Sequence, residues 1–436
     1  MFVQFKVQNF KSLKEEATLS MVASGSDSST RFEENTFLVE KFNLRLLKSI
    51  VIYGANASGK SKVLEALSFM RKFVIESSKE GQIDEPIGVD PFRLDTTSAE
   101  KPTSFEIVFI SNDIQYRYGF EVNRLEVVAE WLYRRAKTKE VEIFYRSFQD
   151  FETHKTQFKA NDLIKNDRIR SNALFVSVGA SFNDPISREI VTWFKLFNML
   201  SGIDHDRYEG YSVHRLRSEK DKRATLNFLK AADFGIEDIK FTKLDLGNPP
   251  GNMPEVLKDF LKEKTIEQSD SEVLVDLSTY RKVYDENKLP VGLEKFSVED
   301  DESAGTRKYF AISGPILNTL AQGYALAVDE LGNKLHSSLV SKLIELFNSR
   351  KNNPRHAQLI FTAHDTNLLS SGLFRRDQIW FTEKDRYGAT TLYSLADFKT
   401  NVVRKADNYE DKYLQGRYGA LPYLNDFDEF LQGYES

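Results

Sequence analysis

Apolar and polar residues alternate at the start of the chain and again in two adjacent segments further on. The alternation predicts half-buried strands at residues 2–10, 104–110 and 116–122. A short polar link between the last two predicts a hairpin, and a second hairpin is predicted in the tail at 378–381 and 390–395. Unbroken apolar runs predict buried strands at 46–53, 323–328 and 358–363. Apolar residues spaced three and four apart predict helices at 62–76, 186–199, 216–232 and about 309–320.

The outer parts of the chain mix strands with helices, whereas the middle part has the character of an insertion. We therefore expect three blocks: an N-terminal lobe at 1–133, a mainly helical insertion at 134–289 and a C-terminal lobe at 290–436. A loop rich in Gly, Pro and Asn at 244–253 interrupts the insertion. A chain of 436 residues is long enough for one large domain or two to three smaller ones.

Composition excludes several classes of function. The chain has no cysteine, which excludes disulfides, a thiolate nucleophile and cysteine-ligated zinc, and which fits a reducing cytoplasm. No signal peptide or membrane-length apolar run is visible, so we expect a cytoplasmic protein without membrane contact. A net charge of −5 gives no overall attraction to nucleic acid. DNA binding would need the basic runs at 134–139 and 214–223, although such runs are more often solvated surfaces.

A glycine-rich segment directly follows the apolar run at 46–53. Gly54-Ala-Asn-Ala-Ser-Gly-Lys-Ser61 has the spacing G-x-x-x-x-G-K-S, in which a tight turn directs backbone N–H groups at a β-phosphate. Lys60 of such a loop reaches the β- and γ-phosphates, and the Ser61 hydroxyl coordinates Mg²⁺. The order of strand, loop and helix predicts a site for ATP and Mg²⁺. Its predicted binding residues are Gly54, Asn56, Ala57, Ser58, Gly59, Lys60 and Ser61.

Two carboxylates end the apolar run at 323–328. A parallel strand beside the phosphate loop would place Asp329 on Mg²⁺ and leave Glu330 to position or deprotonate the attacking water. An Asp-Glu helix cap is the alternative interpretation. The run at 358–363 ends at His364, whose imidazole would hydrogen-bond the γ-phosphate or the water, with a purely structural histidine as the alternative. Lys60, Glu330 and His364 are therefore the candidate catalytic residues, and Ser61 and Asp329 the candidate metal ligands.

A further anion site is predicted where Glu302-Ser-Ala-Gly-Thr306 precedes a helix, because small residues at a helix N-terminus expose N–H groups. In chain order, the motifs resemble those of an ABC-type ATPase head: phosphate loop, signature segment, Walker B motif ending in Asp-Glu, and switch histidine. Within that superfamily the chain resembles RecF-like and "overcoming lysogenization defect" AAA ATPases of the RloA/AbiLi kind, and the ATPase subunit of the PARIS anti-phage system. The resemblance rests on 53–61, 302–306, 328–336 and 358–365, with tail segments 376–384, 392–398 and 413–420.

The resemblance implies an α/β fold, namely an ABC-type head with a mixed P-loop sheet, flanking helices and an antiparallel β subdomain. It also implies that ATP lies between two protomers, with Ser303, Gly305 and Thr306 on the γ-phosphate of the partner's nucleotide. The chain would then form a homo-oligomer, at least a dimer and up to a larger ring, with composite ATP sites.

The implied function is that of an ATPase that senses phage infection through a trigger protein and controls a separate effector, a toxin or a nuclease of the Toprim kind. Only residues 365–436 follow His364, which is too short a stretch for a Toprim nuclease in this chain. A RecF-like ATPase acting directly on DNA ends or gaps is the alternative. A binding scaffold that holds ATP as a structural clamp, without turnover, is a third.

Overall fold

The computed structural model describes residues 1–25, 31–79, 82, 85–202, 206–245, 272–399, 403 and 408–422. These form two compact units. The first contains the described residues within 1–203, 319–333 and 340–436, and the second contains those within 204–318 and 334–339. None of the described helices is long and apolar enough to cross a membrane.

The strands and helices are numbered in chain order over the described residues. The strands are β1 (Phe2–Gln8), β2 (Ala17–Ser20), β3 (Thr36–Val39), β4 (Leu44–Leu47), β5 (Ser49–Gly54), β6 (Thr103–Ser111), β7 (Ile114–Val122), β8 (Val127–Arg135), β9 (Glu140–Ser147), β10 (Asp150–Thr153), β11 (Asn198–Ser201), β12 (Asp238–Asp245), β13 (Glu272–Tyr284), β14 (Pro290–Ser297), β15 (Ala325–Asp329), β16 (Gln358–Thr362), β17 (Ile379–Lys384) and β18 (Thr390–Ser394). The α-helices are α1 (Phe32–Asn35), α2 (Lys60–Glu76), α3 (Asn161–Lys165), α4 (Phe175–Ser181), α5 (Pro185–Leu196), α6 (Asp206–Arg215), α7 (Glu219–Lys230), α8 (Ala304–Gln322), α9 (Ser337–Asn348), α10 (Asn367–Ser370) and α11 (Tyr409–Leu414).

Two larger sheets form the first unit. The antiparallel sheet has the order β10-β9-β8-β7-β6-β1-β2 and contains the predicted hairpin β6–β7. The mixed sheet has the order β11-β15-β16-β5-β17-β18, and only the last pair, the predicted tail hairpin, is antiparallel. One apolar core contains side chains from both sheets and from the buried face of α2, including Phe105, Ile52, Ile360 and Leu67. The predicted α/β architecture, a mixed sheet that carries the phosphate loop together with an antiparallel β subdomain, is confirmed.

The mixed sheet brings three strand ends to one edge. Strands β5, β15 and β16 are parallel, so their carboxyl ends, which carry the predicted site residues, meet there. Strand β16 lies between β5 and β15. The predicted single strand at 46–53 is also two strands, β4 and β5, separated by the buried Lys48, whose Nζ donates to the carbonyl of Asn348 at 2.9 Å.

The second unit contains α6, α7, residues 304–318 of α8 and the antiparallel sheet β12-β13-β14. The unit boundaries differ from the predicted blocks: β9 and β10 extend the sheet of the first unit, and residues 290–318 belong to the second. Hydrophobic periodicity predicts that a strand forms but not which sheet it joins. Most of the predicted loop at 244–253 lies outside the described residues.

Candidate nucleotide-binding site

The glycine loop lies between β5 and α2, as the sequence predicts. Gly59 precedes the first residue of α2 with a φ of +110°, a backbone conformation that favours glycine. A Cβ at Gly59 would lie 2.4 Å from Oγ1 of Thr390, and one at Gly54 would lie 2.4 Å from the carbonyl oxygen of Thr382. Both glycines are therefore required by the close approach of the β17–β18 hairpin, and Gly59 also by its φ.

The same hairpin holds the middle of the loop. The hydroxyls of Ser58 and Thr382 share a hydrogen bond of 2.6 Å, and Oγ1 of Thr390 donates to the carbonyl of Ser58 at 2.8 Å. Ser58 is consequently buried, and its side chain contacts the protein interior. Sequence reasoning missed Thr382 and Thr390, because a strand pattern in the tail contains no signal for a contact with the glycine loop.

Lys60 is buried at the first residue of α2. Its Nζ donates to the carbonyls of Gly54 and Ala55 at 2.7 and 3.0 Å. Burial lowers the pKa of Lys60, and the carboxylates of Glu330 and Asp329 act in the opposite direction. The lysine of the loop and the predicted acidic pair thus interact electrostatically, which is what a site for phosphate and metal requires. Ser61 follows at the second position of α2 and is half-buried.

Thr362, the last residue of β16, connects the two acidic residues. Its Oγ1 donates to Oδ1 of Asp329 at 2.6 Å and accepts from the backbone N–H of Glu330 at 2.7 Å. Asp329 ends β15, and the next helix, α9, begins only at Ser337, so the pair is not a helix cap. Thr362 was not predicted, although it lies two residues before the predicted His364.

The carboxylate of Glu330 lies between two side chains. Nε2 of His364 lies 3.5 Å from Oε1, and Nδ2 of Asn333 donates to Oε2 at 3.1 Å. Glu330 has a φ of +53°, and the exposed fractions of the Glu330 and His364 side chains are 24 % and 46 %. A group that is oriented by neighbours but still open to solvent is suited to contact a water molecule.

Gly202 supports the same turn through its backbone. Its N–H donates to the carbonyl of Asp329 at 2.6 Å, and a Cβ there would lie 2.1 Å from the carbonyl oxygen of Glu330. Only glycine permits this approach.

The signature residues belong to the second unit. Oγ of Ser303 accepts from the N–H of Thr306 at 3.1 Å, so Ser303 caps the N-terminus of α8. Ser303 is exposed, whereas Thr306 is buried and shares a 2.9 Å hydrogen bond with the Ser303 hydroxyl. Gly305 lies close to the turn that follows β15, since a Cβ on Gly305 would be 2.8 Å from the carbonyl oxygen of Lys334. The other predicted site residues all belong to the first unit.

The donor set fits Mg²⁺ held jointly with phosphate. Among the described residues, no group of three or more His, Asp or Glu side chains is arranged to hold a metal by itself. Mg²⁺ prefers oxygen ligands and is commonly bound by one or two carboxylates together with substrate phosphates and waters. Asp329 and the Ser61 hydroxyl supply oxygens of this kind beside a phosphate loop.

Comparison with known proteins agrees with this geometry. Residues 49–370 match the family described as "AAA domain, putative AbiEii toxin, Type IV TA system". The chain belongs to this AAA family. The match begins at β5 and ends with α10, so it contains the phosphate loop, the signature, the acidic pair and His364. This match confirms the AAA part of the predicted resemblance.

Other comparisons add little to the family assignment. No curated protein sequence matches the chain significantly. Among solved structures, the SMC head domain from Thermotoga maritima has a TM-score of 0.42 and 12 % identity, covering 90 % of this chain and 98 % of that one. The SmcHead bound to the C-winged helix domain of ScpA has a TM-score of 0.39 and 12 % identity, covering 90 % and 97 %. The Smc head domain with an extended coiled coil, bound to the C-terminal domain of ScpA derived from Pyrococcus furiosus, has a TM-score of 0.38 and 11 % identity, covering 90 % and 96 %.

Proposed function

We propose that this AAA protein binds ATP with Mg²⁺ and hydrolyses it slowly. The observation that supports this most directly is the carboxylate of Glu330, which is oriented by His364 and Asn333 and which acts electrostatically on the buried Lys60. Bound MgATP supplies a γ-phosphoryl group that is open to attack by water. Glu330 accepts the proton of that water, and His364 hydrogen-bonds the γ-phosphate or the water.

In the proposed site, Lys60 exchanges its hydrogen bonds to two loop carbonyls for the β- and γ-phosphates. Ser61 and Asp329 hold Mg²⁺, and Thr362 fixes the orientation of the Asp329 carboxylate through its 2.6 Å hydrogen bond. The backbone of the loop from Gly54 to Gly59, including Asn56, Ala57 and Ser58, forms the phosphate cradle.

Two substitutions test this assignment. Lys60→Ala should abolish nucleotide binding, whereas Glu330→Gln should retain ATP but hydrolyse it at least about 100-fold more slowly. Lys62→Ala is the matched control for the first, because Lys62 lies on the same helix and pairs with Glu65 at 2.6 Å. Glu345→Gln, which breaks the Lys342 ion pair on α9, is the control for the second. Normal hydrolysis by both site variants would reject the assignment.

We further propose that the ATP site is composite. Ser303 is exposed at the N-terminus of a helix of 19 residues, and this arrangement supports contact with the γ-phosphate held by another protomer, together with Gly305 and Thr306. Protomers with Lys60→Ala and protomers with Ser303→Glu should each be inactive. Their mixture should regain part of the activity, because a hybrid dimer contains one site with both an intact loop and an intact signature. A mixture as inactive as its components would contradict the composite site.

The biological role that we propose is anti-phage defence by abortive infection in the cytoplasm, similar to that of the PARIS ATPase subunit. ATP would control a homo-oligomer that responds to a phage trigger protein and holds a separate toxin or nuclease. The family description, which names an abortive-infection toxin and a toxin–antitoxin system, supports this role. Cells that carry the chain and its neighbouring effector gene should resist phage, and Lys60→Ala should remove the resistance. Resistance that persists in this variant would contradict the role.

A further inference from the structure

The residue that precedes Ser303 has a buried carboxylate that accepts three hydrogen bonds from two donor groups. The side chain of Glu302 is 3 % exposed. Its Oε1 accepts from Oγ1 of Thr279 at 2.5 Å and from Nη2 of Arg281 at 2.9 Å, and its Oε2 lies 2.7 Å from the same Nη2. A carboxylate that is buried to this extent needs such partners, because an unpaired buried charge is strongly destabilising.

Both partners lie on a rigid element. Thr279 and Arg281 belong to β13, the central strand of the three-stranded sheet of the second unit. The second guanidinium nitrogen of Arg281, Nη1, donates to the carbonyl of Phe234 at 2.5 Å, and the guanidinium lies 5.7 Å from the centre of the Phe296 ring. Arg281 is therefore also held by contacts that do not involve Glu302.

We infer that Thr279 and Arg281 are positioning residues that hold the signature segment through Glu302. Glu302 is directly bonded in the chain to Ser303, which caps α8 with its hydroxyl, so a fixed Glu302 restricts both the exposed hydroxyl and the first N–H groups of the helix. Groups that are ordered before they meet a phosphate lose less conformational entropy when they bind it. This inference rests on the proposed role of the signature in a composite ATP site.

Loss of the Glu302 contacts should affect two measurable steps differently, namely ATP binding by the single protomer and ATP-driven association of protomers. The phosphate loop belongs to the other unit, so loss of the Glu302 contacts should leave binding of ATP to the single protomer unchanged. Association of protomers driven by ATP, and the turnover that depends on it, should decrease. A defect in folding would instead affect both steps together.

Arg281→Met tests the inference most strongly, since it keeps an unbranched apolar stem and removes the charge and the donors. We expect turnover to decrease about tenfold or more, with the Kd of a fluorescent ATP analogue unchanged within about twofold. Lys282→Met is the matched control. Lys282 is the next residue of the same strand and pairs with Glu237 at 2.7 Å, so this variant loses an ion pair that does not involve the signature. It should hydrolyse ATP at the wild-type rate.

Thr279 gives a second measurement that does not remove a charge. Thr279→Val should lower turnover about threefold to tenfold, and Thr279→Ser, which keeps the hydroxyl, should restore it.

Two results would overturn the positioning role alone. One is a folded Arg281→Met protein with wild-type turnover, and the other is an Arg281→Met protein that loses nucleotide binding as much as it loses turnover. Absence of ATP turnover in the wild-type protein would overturn the proposed function, and the positioning role with it.

Discussion

The phosphate loop and the signature segment are supported by different chemistry. The loop and the acidic pair beside it are held by neutral hydroxyls, namely those of Thr362, Thr382 and Thr390. The signature is held through the buried carboxylate of Glu302, which pairs with the partly exposed Arg281 and also accepts from the hydroxyl of Thr279. Hydroxyl groups can bridge two backbone or side-chain groups at little desolvation cost, whereas a buried carboxylate that loses its cationic partner is strongly destabilising.

The difference indicates where each region tolerates change. At the loop, backbones and short side chains approach so closely that added side-chain volume should be the most damaging kind of change. At the signature, the contacts involve charged side chains, so loss of a charge should be the most damaging kind of change. Three predictions follow from this contrast, in order of decreasing effect.

Gly59→Ala should be severely damaging at the loop. The substitution places a Cβ at a φ of +110° and 2.4 Å from Oγ1 of Thr390, so backbone strain and a steric clash act together. We expect nucleotide binding to be lost and the free energy of unfolding to decrease by about 3 kcal/mol or more, as measured by urea denaturation.

Gly372→Ala separates these two causes. Gly372 also has a positive φ, +65°, but a Cβ there would have nothing within 4 Å. This control should cost only about 1 kcal/mol, from backbone strain alone, and should leave nucleotide binding intact. If both variants lost the same amount of stability, close approach of the tail hairpin would not be what requires glycine at position 59.

The chemistry-bearing residues of the loop and the sheet edge could be predicted because each ends or follows an apolar run. Asp329, Glu330 and His364 lie at or within two residues of the carboxyl ends of buried parallel strands, and Lys60 follows the glycine loop after another such strand. The glycine spacing needs no partner from elsewhere in the chain to be interpreted.

The supporting residues could not be predicted, because their contacts join distant segments. Thr382 meets Ser58 across 324 residues, and Thr362 meets Asp329 across 33. Alternation places a threonine on one face of a strand but does not show what covers that face.

Thr362→Val should affect catalysis more than binding. The variant keeps the side-chain volume of a fully buried residue but removes the hydroxyl that connects Asp329 to the N–H of Glu330. We expect kcat to decrease by about 10- to 100-fold, because the hydrogen bond to the charged Asp329 carboxylate and the hydroxyl contact with the N–H of Glu330 are both lost. The KM for ATP should change little.

Thr362→Ser is the corresponding control, since it keeps the hydroxyl and loses only a methyl group. Its kcat should remain within about threefold of the wild type. A large loss in the serine variant would show that packing, rather than the hydroxyl bridge, orients the acidic pair.

The smallest effect is expected when the pH is lowered and an ion-paired carboxylate of the second unit becomes protonated. The side chains of Lys230 and Lys282 hold the pKa of Glu237 at about 2, below its ordinary value of 4.5. Because the folded-state pKa is depressed, the stabilisation is complete above about pH 4.5 and is lost as the pH falls through about 2. Glu237→Gln should therefore reduce the acid dependence of the melting temperature between pH 5 and pH 2, by a small amount because the group is exposed. The neutral Thr382→Val variant, which loses the hydrogen bond to the Ser58 hydroxyl, should leave that dependence unchanged. An equal change in both variants would contradict the view that ionic contacts distinguish the second unit from the hydroxyl-supported loop.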